Sequence, residues 1–423
     1  MADNLICAID IGSFKIASVV GIQSKDSDEL RVIGFNSVAS RGVKKGLIVD
    51  IDQVTQAIEE SVEKAERMAG QKINSAFVSI GGPHITSLNS HGVVAVAHAQ
   101  GEISHEDINR VIEAARAISL STTRQIIEVT PREYVVDGQP GIKNPIGMTG
   151  VRLEVDTHII TASQTNLKNV ERCLTDLGIA NDGFIFAGLA SAESVVTDTE
   201  KELGVVLIDI GGGKTDLSMY VEGSLSYSSS IPIGARHVTN DIAVGLRVSL
   251  DSAEKIKLHL SKNWDRKEEK SFKKDTQLNL NDLLLPENIT EVSLKTLVDG
   301  IISPRLEEIF KLVFEEIDKS GYANSIPSGV VVTGGGALTV GLIDMGKKVL
   351  GLPMRLGRPA GVTGLIDELI SPQFATTVGL ILYGQRNIMR GEKTGKDFNK
   401  MLKDISIGGH IGKLKEIIKQ FIP

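Results

Sequence analysis

The sequence predicts an α/β protein made of two similar domains. Residues 5–15 read LICAIDIGSFK and residues 205–216 read VVLIDIGGGKTD, so an apolar strand that ends in Asp-Ile-Gly occurs twice. The two acids, Asp10 and Asp209, lie 199 positions apart (209 − 10). A third apolar run, VVVTGGGAL at 330–338, ends in three glycines and carries no acid. Two acidic turns that face each other would clamp a metal-bound triphosphate, because each offers a carboxylate and bare backbone N–H groups.

Composition narrows the class of protein. A chain of 423 residues with 41% apolar and 23% charged residues is typical of a soluble globular protein with two or more domains. Aromatic residues make up only 4% and the net charge is −7, which argues against a nucleic-acid partner. The two cysteines, Cys7 and Cys173, are predicted to be reduced core residues of a cytosolic protein. No uncharged apolar run approaches the ~18 residues needed to span a bilayer.

The first half is predicted to begin with three strands. Apolar residues at helical spacing from 54 to 68 then predict a helix, with Asp52 as its N-cap and Gly70 as its stop. A further apolar strand follows at 75–80. Strands and a helix in this order indicate the start of the first domain.

The pattern changes between 84 and 156, which predicts a small α+β insert in the first domain. A strand-like segment is followed by a helix that Ser104 and Asp107 would cap reciprocally. The predicted extended segments are 125–129, 133–136 and 151–156. Four histidines recur every seven residues (His84, His91, His98 and His105). On a strand this spacing puts alternate histidines on opposite faces, so a metal site is not predicted.

The second half repeats the alternation of strands and helices. Helices are predicted at 166–177, 188–197, 251–260, 304–318 and 375–384. The second of them is expected to lead directly into the second Asp-Ile-Gly turn. The polar stretch 261–290 is predicted to be a solvated loop or hairpin.

The order of the three glycine turns resembles the actin/Hsp70/sugar-kinase superfamily, whose two similar domains close over ATP. Four further segments narrow this resemblance to the bacterial cell-division FtsA family. They are SRGVKKGLIVD (40–50), GIKNPIGMTGVRLE (141–154), IFAGLASAES (185–194) and AEKIK (253–257). The resemblance implies an actin-like two-domain fold of duplicated ribonuclease-H-like cores, with a small insert in the first domain and a C-terminal amphipathic helix.

The resemblance also implies how the chain is divided. Domain 1A is expected at 1–83 and 157–195, with the inserted subdomain 1C at 84–156. Domain 2A is expected at 196–231 and 303–390, with subdomain 2B at 232–302. A flexible linker at 391–407 and a membrane-targeting helix at 408–423 complete the predicted division.

Site residues follow from the resemblance position by position. ATP phosphates are assigned to Asp10, Gly12, Ser13, Phe14, Lys15, Asp209, Gly211, Gly212, Gly213, Lys214, Thr215 and Asp216. Adenosine is assigned to Gly234, Glu254, Lys257, Gly334, Gly335, Gly336 and Ala337. Asp10 and Asp209 would hold Mg²⁺ largely through its waters, because this ion dehydrates reluctantly.

Two positions depart from the pattern of the family and its superfamily. Lys214 stands where the family usually has a small hydroxyl or apolar residue. Superfamily hydrolases place Glu or Gln before the helix at 188 to orient the attacking water, whereas this chain has Phe186-Ala187-Gly188. The sequence therefore predicts ATP binding with at most slow hydrolysis.

The C-terminal tail is predicted to bind membrane. Residues 391–423 carry seven lysines and four acids, whereas the whole chain has a net charge of −7. A helical projection from 410 groups six apolar side chains on one arc, flanked by lysines. The membrane residues are Ile411, Leu414, Lys415, Ile417, Ile418, Lys419, Phe421 and Ile422. The pattern indicates attraction to anionic lipids, and a helix that packs on the core or on a partner is the alternative.

The resemblance implies an actin-like protein that polymerises on the cytoplasmic face of the bacterial inner membrane at the division septum. There it would anchor the tubulin-like ring protein FtsZ and recruit later division proteins. The C-terminal peptide of FtsZ is expected to contact subdomain 2B near Lys295 and Arg305. The alternatives are a pilus-assembly adaptor, a sugar or acetate kinase on the same fold, and an Hsp70-like chaperone. The lipid-seeking tail argues against the kinase, and no substrate domain follows the core as a chaperone would require.

Overall fold

The computed structural model describes residues 4–24, 29–97, 100–262, 276–365 and 367–389. The first half opens with β1 (Asn4–Ile11), β2 (Lys15–Gln23), β3 (Leu30–Ala39), β4 (Val43–Lys44), β5 (Leu47–Ile48), α1 (Ile51–Ala69) and β6 (Ser75–Ile80). β1, β2 and β3 form an antiparallel meander, and β6 pairs with β1 in parallel. The first Asp-Ile-Gly turn therefore connects two central strands of a sheet.

Helix α1 shows one prediction that is confirmed and one that is wrong. Gly70 ends the helix in the left-handed conformation (φ 64°), as predicted. The N-cap is Asp50 rather than Asp52. Asp50 has an extended backbone, so its carboxylate can accept the N–H of Gln53, whereas Asp52 already lies in the first helical turn.

The insert is a separate four-stranded sheet with one helix. Its elements are β7 (Thr86–Ala95), α2 (His105–Arg116), β8 (Arg124–Val136), β9 (Gln139–Ile142) and β10 (Arg152–Ser163), in the sheet order β7-β10-β8-β9. The capping box of Ser104 and Asp107 is confirmed. The two predicted segments at 125–129 and 133–136 form one strand, β8, with register shifts at Ile127 and Arg132. β10 continues past residue 156, where the insert was expected to end.

The chain then returns to the first sheet through α3 (Gln164–Asp176), β11 (Ala180–Phe186), α4 (Ala187–Val195) and α5 (Asp198–Leu203). β11 pairs in parallel with β6. The predicted direct passage from α4 into the second turn is wrong, because α5 intervenes. Thr197 and Glu200 form a capping box that starts this extra helix.

The second half repeats the topology of the first. Its elements are β12 (Val205–Ile210), β13 (Thr215–Val221), β14 (Ser224–Ile231), α6 (Ala235–Leu246), α7 (Leu250–Lys262), β15 (Gln277–Asn279), β16 (Glu291–Ser293), α8 (Leu294–Leu297), α9 (Ser303–Lys319), β17 (Val330–Thr333), α10 (Leu342–Leu350), β18 (Met354–Leu356), β19 (Thr363–Gly364) and α11 (Ala375–Met389). The sheet order β14-β13-β12-β17-β18 matches β3-β2-β1-β6-β11. Each sheet is an antiparallel meander of three strands continued by two parallel ones. In the described part of the polar stretch, β15 pairs with β16, which directly follows the stretch, as a small sheet.

Two crossing helices join the halves. α4 and α11 pack so closely that a Cβ at Gly379 would collide with the carbonyl of Ala190. α11 also buries Val378 and Ile381 against the core of the first sheet. β19 pairs with β3, so a segment from the second half extends the first sheet. Ser191 of α4 and Thr376 and Thr377 of α11 contact the acids of the two turns, so this joint and the turns lie together. In the described part of the chain, no helix has the length and hydropathy to cross a bilayer.

Candidate nucleotide-binding site

The site begins with two hairpins of the same geometry: hairpin 1 (residues 10–17) and hairpin 2 (residues 209–216). In hairpin 1 the N–H of Gly12 donates to the carbonyl of Lys15 at 3.0 Å, and in hairpin 2 Gly211 donates to Lys214 at 2.9 Å. Asp10 pairs across its hairpin with Ala17, and Asp209 pairs with Asp216. Lys15 and Lys214 therefore occupy equivalent positions, as do the two acids.

Asp10 is held by three side chains. One carboxylate oxygen accepts the hydroxyl of Ser79 at 2.8 Å. The other accepts the hydroxyl of Thr377 at 3.2 Å and lies 3.4 Å from the ammonium of Lys15. Ser79 also accepts the N–H of Ile11 at 2.9 Å, so it ties the carboxylate to the backbone of its own strand.

Asp209 lies in a less compensated environment. Its carboxylate accepts the hydroxyls of Ser191 and Thr376, the latter at 3.0 Å. Burial raises the pKa of Asp209, and the nearby carboxylate of Asp216 raises it further. The charge of Lys214 and the two hydroxyls act in the opposite direction. A divalent cation near this carboxylate would favour its ionised form.

Neighbouring residues of α11 hold the two acids. Thr376 donates to Asp209 and Thr377 donates to Asp10. The start of a single helix thus fixes both carboxylates, one from each half of the molecule.

The two hairpins touch at their tips. A Cβ at Gly212 would lie 2.8 Å from Cβ of Phe14, and one at Gly213 would lie 2.9 Å from Cβ of Ser13. The hydroxyl of Ser13 accepts the N–H of Gly46 at 2.9 Å. The glycines of hairpin 2 therefore make room for the side chains of hairpin 1.

The third glycine loop packs against hairpin 2. A Cβ at Gly334 (φ 86°) would collide with the carboxylate of Asp209, and one at Gly336 would lie 3.0 Å from Cβ of Ala235. Gly335 between them is exposed, and Ala337 is buried behind the loop. This arrangement brings the loop predicted to bind adenosine to the acid predicted to bind the metal.

Gly234 also approaches hairpin 2 closely. A Cβ there would lie 2.5 Å from the carbonyl oxygen of Gly211, a distance that no real Cβ adopts. The first N–H groups of α6 donate to hairpin 2, Ala235 to Gly211 at 2.9 Å and Arg236 to Gly212 at 2.8 Å. Gly234, which was assigned to adenosine, therefore makes its close backbone approach to hairpin 2.

Glu254 and Lys257, predicted to contact base and ribose, lie on α7 facing α6. Lys257 donates to Glu254 at 2.8 Å and to Thr239 at 2.9 Å. Burial lowers the pKa of Lys257, while Glu254 raises it. Thr239 stands one helical turn after Ala235, which contacts Gly336. The pair therefore adjoins the third glycine loop along one face of α6.

The remaining candidates lie away from the hairpins. Lys295 is exposed at the start of α8. Arg305, on α9, pairs with Asp241 and Glu308, so its charge is already neutralised within the protein. The tail residues from Ile411 to Ile422, with the linker at 391–407, lie outside the described residues.

Sequence reasoning did not find the hydroxyls that hold the acids. Ser79, Ser191, Thr376 and Thr377 lie in segments interpreted only as buried strand or helix. Adjacent threonines at the start of an otherwise apolar helix, ATTVGLILYG, were a usable signal, because buried hydroxyls need partners.

Two like sheets, crossing helices between them and an acidic hairpin on each define an actin-like protein. A family model described as "SHS2 domain inserted in FTSA" matches residues 82–161, and one described as "Cell division protein FtsA" matches residues 206–379. The FtsA protein of Pseudomonas aeruginosa is 39% identical over 386 residues, which are 90% of this chain and 89% of that protein. The FtsA protein of Escherichia coli K12 is 33% identical over 398 residues, 92% of each chain. The chain belongs to the FtsA family of cell-division proteins.

Solved structures show the same fold at much lower identity. A chain of the "PilM-PilN type IV pilus biogenesis complex" is 17% identical with a TM-score of 0.63, and the match covers 90% of this chain and 98% of that one. MreB5 of Spiroplasma citri, bound to ADP, is 14% identical with a TM-score of 0.53 and a coverage of 92% and 99%. Both predictions, the family and the actin-like fold with its insert, are confirmed.

Proposed function

We propose that this protein binds ATP with Mg²⁺ between hairpins 1 and 2. The observation that carries the proposal is the fixation of Asp10 and Asp209 by neighbouring threonines of α11. Glycine turns next to both acids supply N–H groups for phosphate oxygens. MreB5, a fold neighbour, is bound to ADP, which supports nucleotide binding on this fold.

Mg²⁺ fits the acids better than an ion that needs a protein cage. Within the described residues, three or more His, Cys, Asp or Glu side chains do not converge on a metal position. Mg²⁺ typically takes one or two carboxylates and completes its shell with water and phosphate oxygens. Asp10 and Asp209 would supply the carboxylates, and Lys15 would neutralise a phosphate.

The third glycine loop and α7 would hold the adenosine. Exposed Gly335 offers a surface without a side chain against which a base can lie. Glu254 and Lys257 adjoin this loop and carry the polar groups suited to ribose hydroxyls. Turnover would be slow, since α4 begins at Ala187 with no acid or amide to orient water.

Isothermal titration of the full-length protein with ATP and Mg²⁺ tests this site. Wild-type protein is expected to bind and Asp209→Ala to lose binding, with circular dichroism showing that the variant is folded. Unchanged affinity in the folded variant would contradict the clamp. A phosphate-release rate in the ~1–10³ s⁻¹ range of metabolic enzymes would contradict slow turnover.

Membership of the FtsA family supports the second part of the proposal. The protein would polymerise on the cytoplasmic face of the inner membrane at the septum, anchor the C-terminal peptide of FtsZ and recruit later division proteins. Lys295 is the better of the two basic candidates for an acidic peptide, because Arg305 is paired internally. Lys295→Glu is expected to weaken capture of an FtsZ tail peptide, and unchanged capture would move the interface elsewhere.

The lipid-binding part of the proposal depends on the tail, whose apolar arc and lysines suit an interfacial helix on anionic lipid. One such helix is a marginal anchor, whereas a filament presents many and gains residence through effective concentration. Ile418→Glu places a charge within the apolar arc and is expected to abolish flotation with anionic liposomes at unchanged ATP affinity. A variant that still floats would exclude the tail as the anchor.

A further inference from the structure

Lys214 reaches from the second half of the molecule into the first. Its stem passes two glycines of the first half, Gly46 and Gly81. A Cβ at Gly46 would lie 3.0 Å from Cδ of Lys214, and one at Gly81 would lie 2.8 Å from Cε and collide with the ammonium. The side chain is 12% exposed. Only residues without a side chain leave this slot open.

The ammonium of Lys214 pairs inside the slot with Asp216, two residues further along hairpin 2. The other carboxylate oxygen of Asp216 accepts the hydroxyl of Ser230 at 2.6 Å. Ser230 in turn accepts the N–H of Gly82 at 3.0 Å. The second half therefore holds the turn Gly81–Gly82 from two sides, through the lysine stem and through Asp216 and Ser230.

This turn connects the two regions that a nucleotide signal would have to link. It follows β6, whose Ser79 holds Asp10. It precedes β7, the first strand of the insert, by three residues. A change in the contacts of Lys214 and Ser230 with the turn would therefore affect both hairpin 1 and the insert.

A terminal phosphate would compete with Asp216 for the ammonium. Lys214 directly follows Gly213, which packs against Ser13 where the hairpins meet. Phosphate bound to the N–H groups of these tips lies within reach of a lysine stem. A terminal phosphate offers more charge and more acceptor oxygens than one carboxylate, so it is the stronger partner.

We propose that Lys214 senses the terminal phosphate by exchanging Asp216 for it. Without that phosphate the ammonium stays in the slot, and the second half holds the turn Gly81–Gly82 in place. With it the ammonium leaves, and the turn and the start of the insert are released. This inference rests on the proposed nucleotide function and adds the residue that distinguishes ATP from ADP.

Two variants disrupt the same contact from opposite sides of the slot. Lys214→Thr removes the ammonium. Gly81→Ala keeps the ammonium but places a Cβ where it lies, so the flexible end of Lys214 must leave Asp216. Lys44→Thr is the matched control, because Lys44 is exposed on β4.

Two readouts are measured on the full-length protein. The first is the ratio of ADP to ATP dissociation constants in the presence of Mg²⁺. Lys214→Thr is expected to lower this ratio about tenfold, the usual size of one charged hydrogen bond. The second is hydrogen exchange of a peptide spanning 80–86. In wild type a non-hydrolysable ATP analogue accelerates exchange and ADP does not, whereas in Lys214→Thr exchange is fast in every state.

The two substitutions should not be additive, because both act on one contact. Gly81→Ala is expected to accelerate exchange in the otherwise wild-type protein and to add little in the Lys214→Thr background. Additive effects, or a Lys214→Thr variant with the wild-type ratio and exchange, would overturn the inference while leaving nucleotide binding intact. Wild-type protein that binds neither nucleotide would overturn the proposed function and the inference together.

Discussion

Hairpins 1 and 2 have the same backbone and different surroundings. The lysine of hairpin 1 stays at the first sheet, where it lies 3.4 Å from Asp10 and 4.4 Å from the ring centre of Phe374, a second-half residue that packs in the core of that sheet. The lysine of hairpin 2 crosses to the first half. Ser13 and Phe14 fill the tip of hairpin 1, whereas glycines form the tip of hairpin 2 and receive them. The comparison shows that a repeated fold acquires distinct roles through the few side chains at its turns.

The surroundings of the two acids, Asp10 and Asp209, also differ. Each acid accepts two hydroxyls, but Asp10 also has the ammonium of Lys15 beside it. The pKa of Asp209 is raised by burial. In hairpin 1 the charge of Asp10 is thus compensated by Lys15 before any ligand binds. In the other, a bound cation would complete the compensation.

The largest effect is expected where the halves are joined. Glu193 on α4 is buried and pairs with Lys201 of α5 and Arg386 of α11. Glu193→Ala leaves the buried Lys201 without its carboxylate and should cost about 3–5 kcal/mol of unfolding free energy. Arg386→Ala, which removes the exposed partner, should cost less than about 1 kcal/mol. Denaturant titration measures both, and equal losses would show that the joint does not depend on the buried charge.

Asparagine substitutions test whether the two acids are equivalent. Asp10→Asn and Asp209→Asn should each weaken Mg²⁺-dependent ATP binding, by about 10- to 100-fold. In calorimetry without metal or nucleotide, Asp209→Asn should raise the melting temperature by about 1–2 °C at neutral pH. In the folded wild-type protein the pKa of Asp209 is raised. The ionised carboxylate therefore destabilises the fold as pH rises through that pKa, and asparagine removes this penalty.

Asp10→Asn is the control for this asymmetry. Because Lys15 compensates Asp10, its substitution should lower the melting temperature or leave it unchanged. A gain of the same size at both positions would mean that the hairpins are electrostatically alike.

The equivalent edge strands β3 and β14 differ in what covers them, and His158 tests this difference. β3 pairs with β19, while β14 meets the insert through His158, whose ring lies 2.8 Å from Asn89 and 3.1 Å from Ser228. Burial and, to a smaller extent, the charge of Arg132 lower the pKa of His158 to about 3. A depressed folded pKa gives stability that is present above the ordinary value of 6.5 and lost as pH falls towards 3.

Unfolding free energy should therefore fall below pH 6.5 by about 1.4 kcal/mol per pH unit from this residue alone. His158→Gln should flatten that slope in denaturant titrations between pH 7.5 and 5. His84, with a pKa lowered to about 4 by burial, adds a similar slope that His158→Gln leaves in place. An unchanged slope in the variant would show that the interface with β14 tolerates the charge.

Smaller losses of stability than at Glu193 are expected from the neighbouring threonines of α11. Thr376→Val removes one of the two hydroxyls bonded to Asp209 and should cost about 1–2 kcal/mol of unfolding free energy. Thr377→Val leaves Asp10 with Ser79 and Lys15, so its cost should stay below about 1 kcal/mol. Denaturant titration distinguishes them, and the reverse order would contradict the asymmetry of the acids.

Much of this protein could be predicted from local patterns. Each Asp-Ile-Gly turn lies within a dozen residues, so one short segment of sequence contains the strand, the glycine turn and the start of the returning strand. Helix ends marked by Gly70 or by Ser104 with Asp107 depend on backbone conformation and neighbouring N–H groups. The family and the duplicated fold followed from the order of such segments along the chain.

Other features depend on packing between distant segments. Thr377 meets Asp10 across 367 positions and Ser79 meets it across 69. The slot for Lys214 needs Gly46 and Gly81 from separate turns of the other half. The choice of Asp50 over Asp52 as the cap of α1 depends on where the preceding turn leaves the chain. Periodicity and capping act over a few residues, so the sequence by itself determined the two hairpins. Only the tertiary structure decided which side chains hold their acids and which lysine crosses between the halves, because these contacts arise when the sheets pack around α4 and α11.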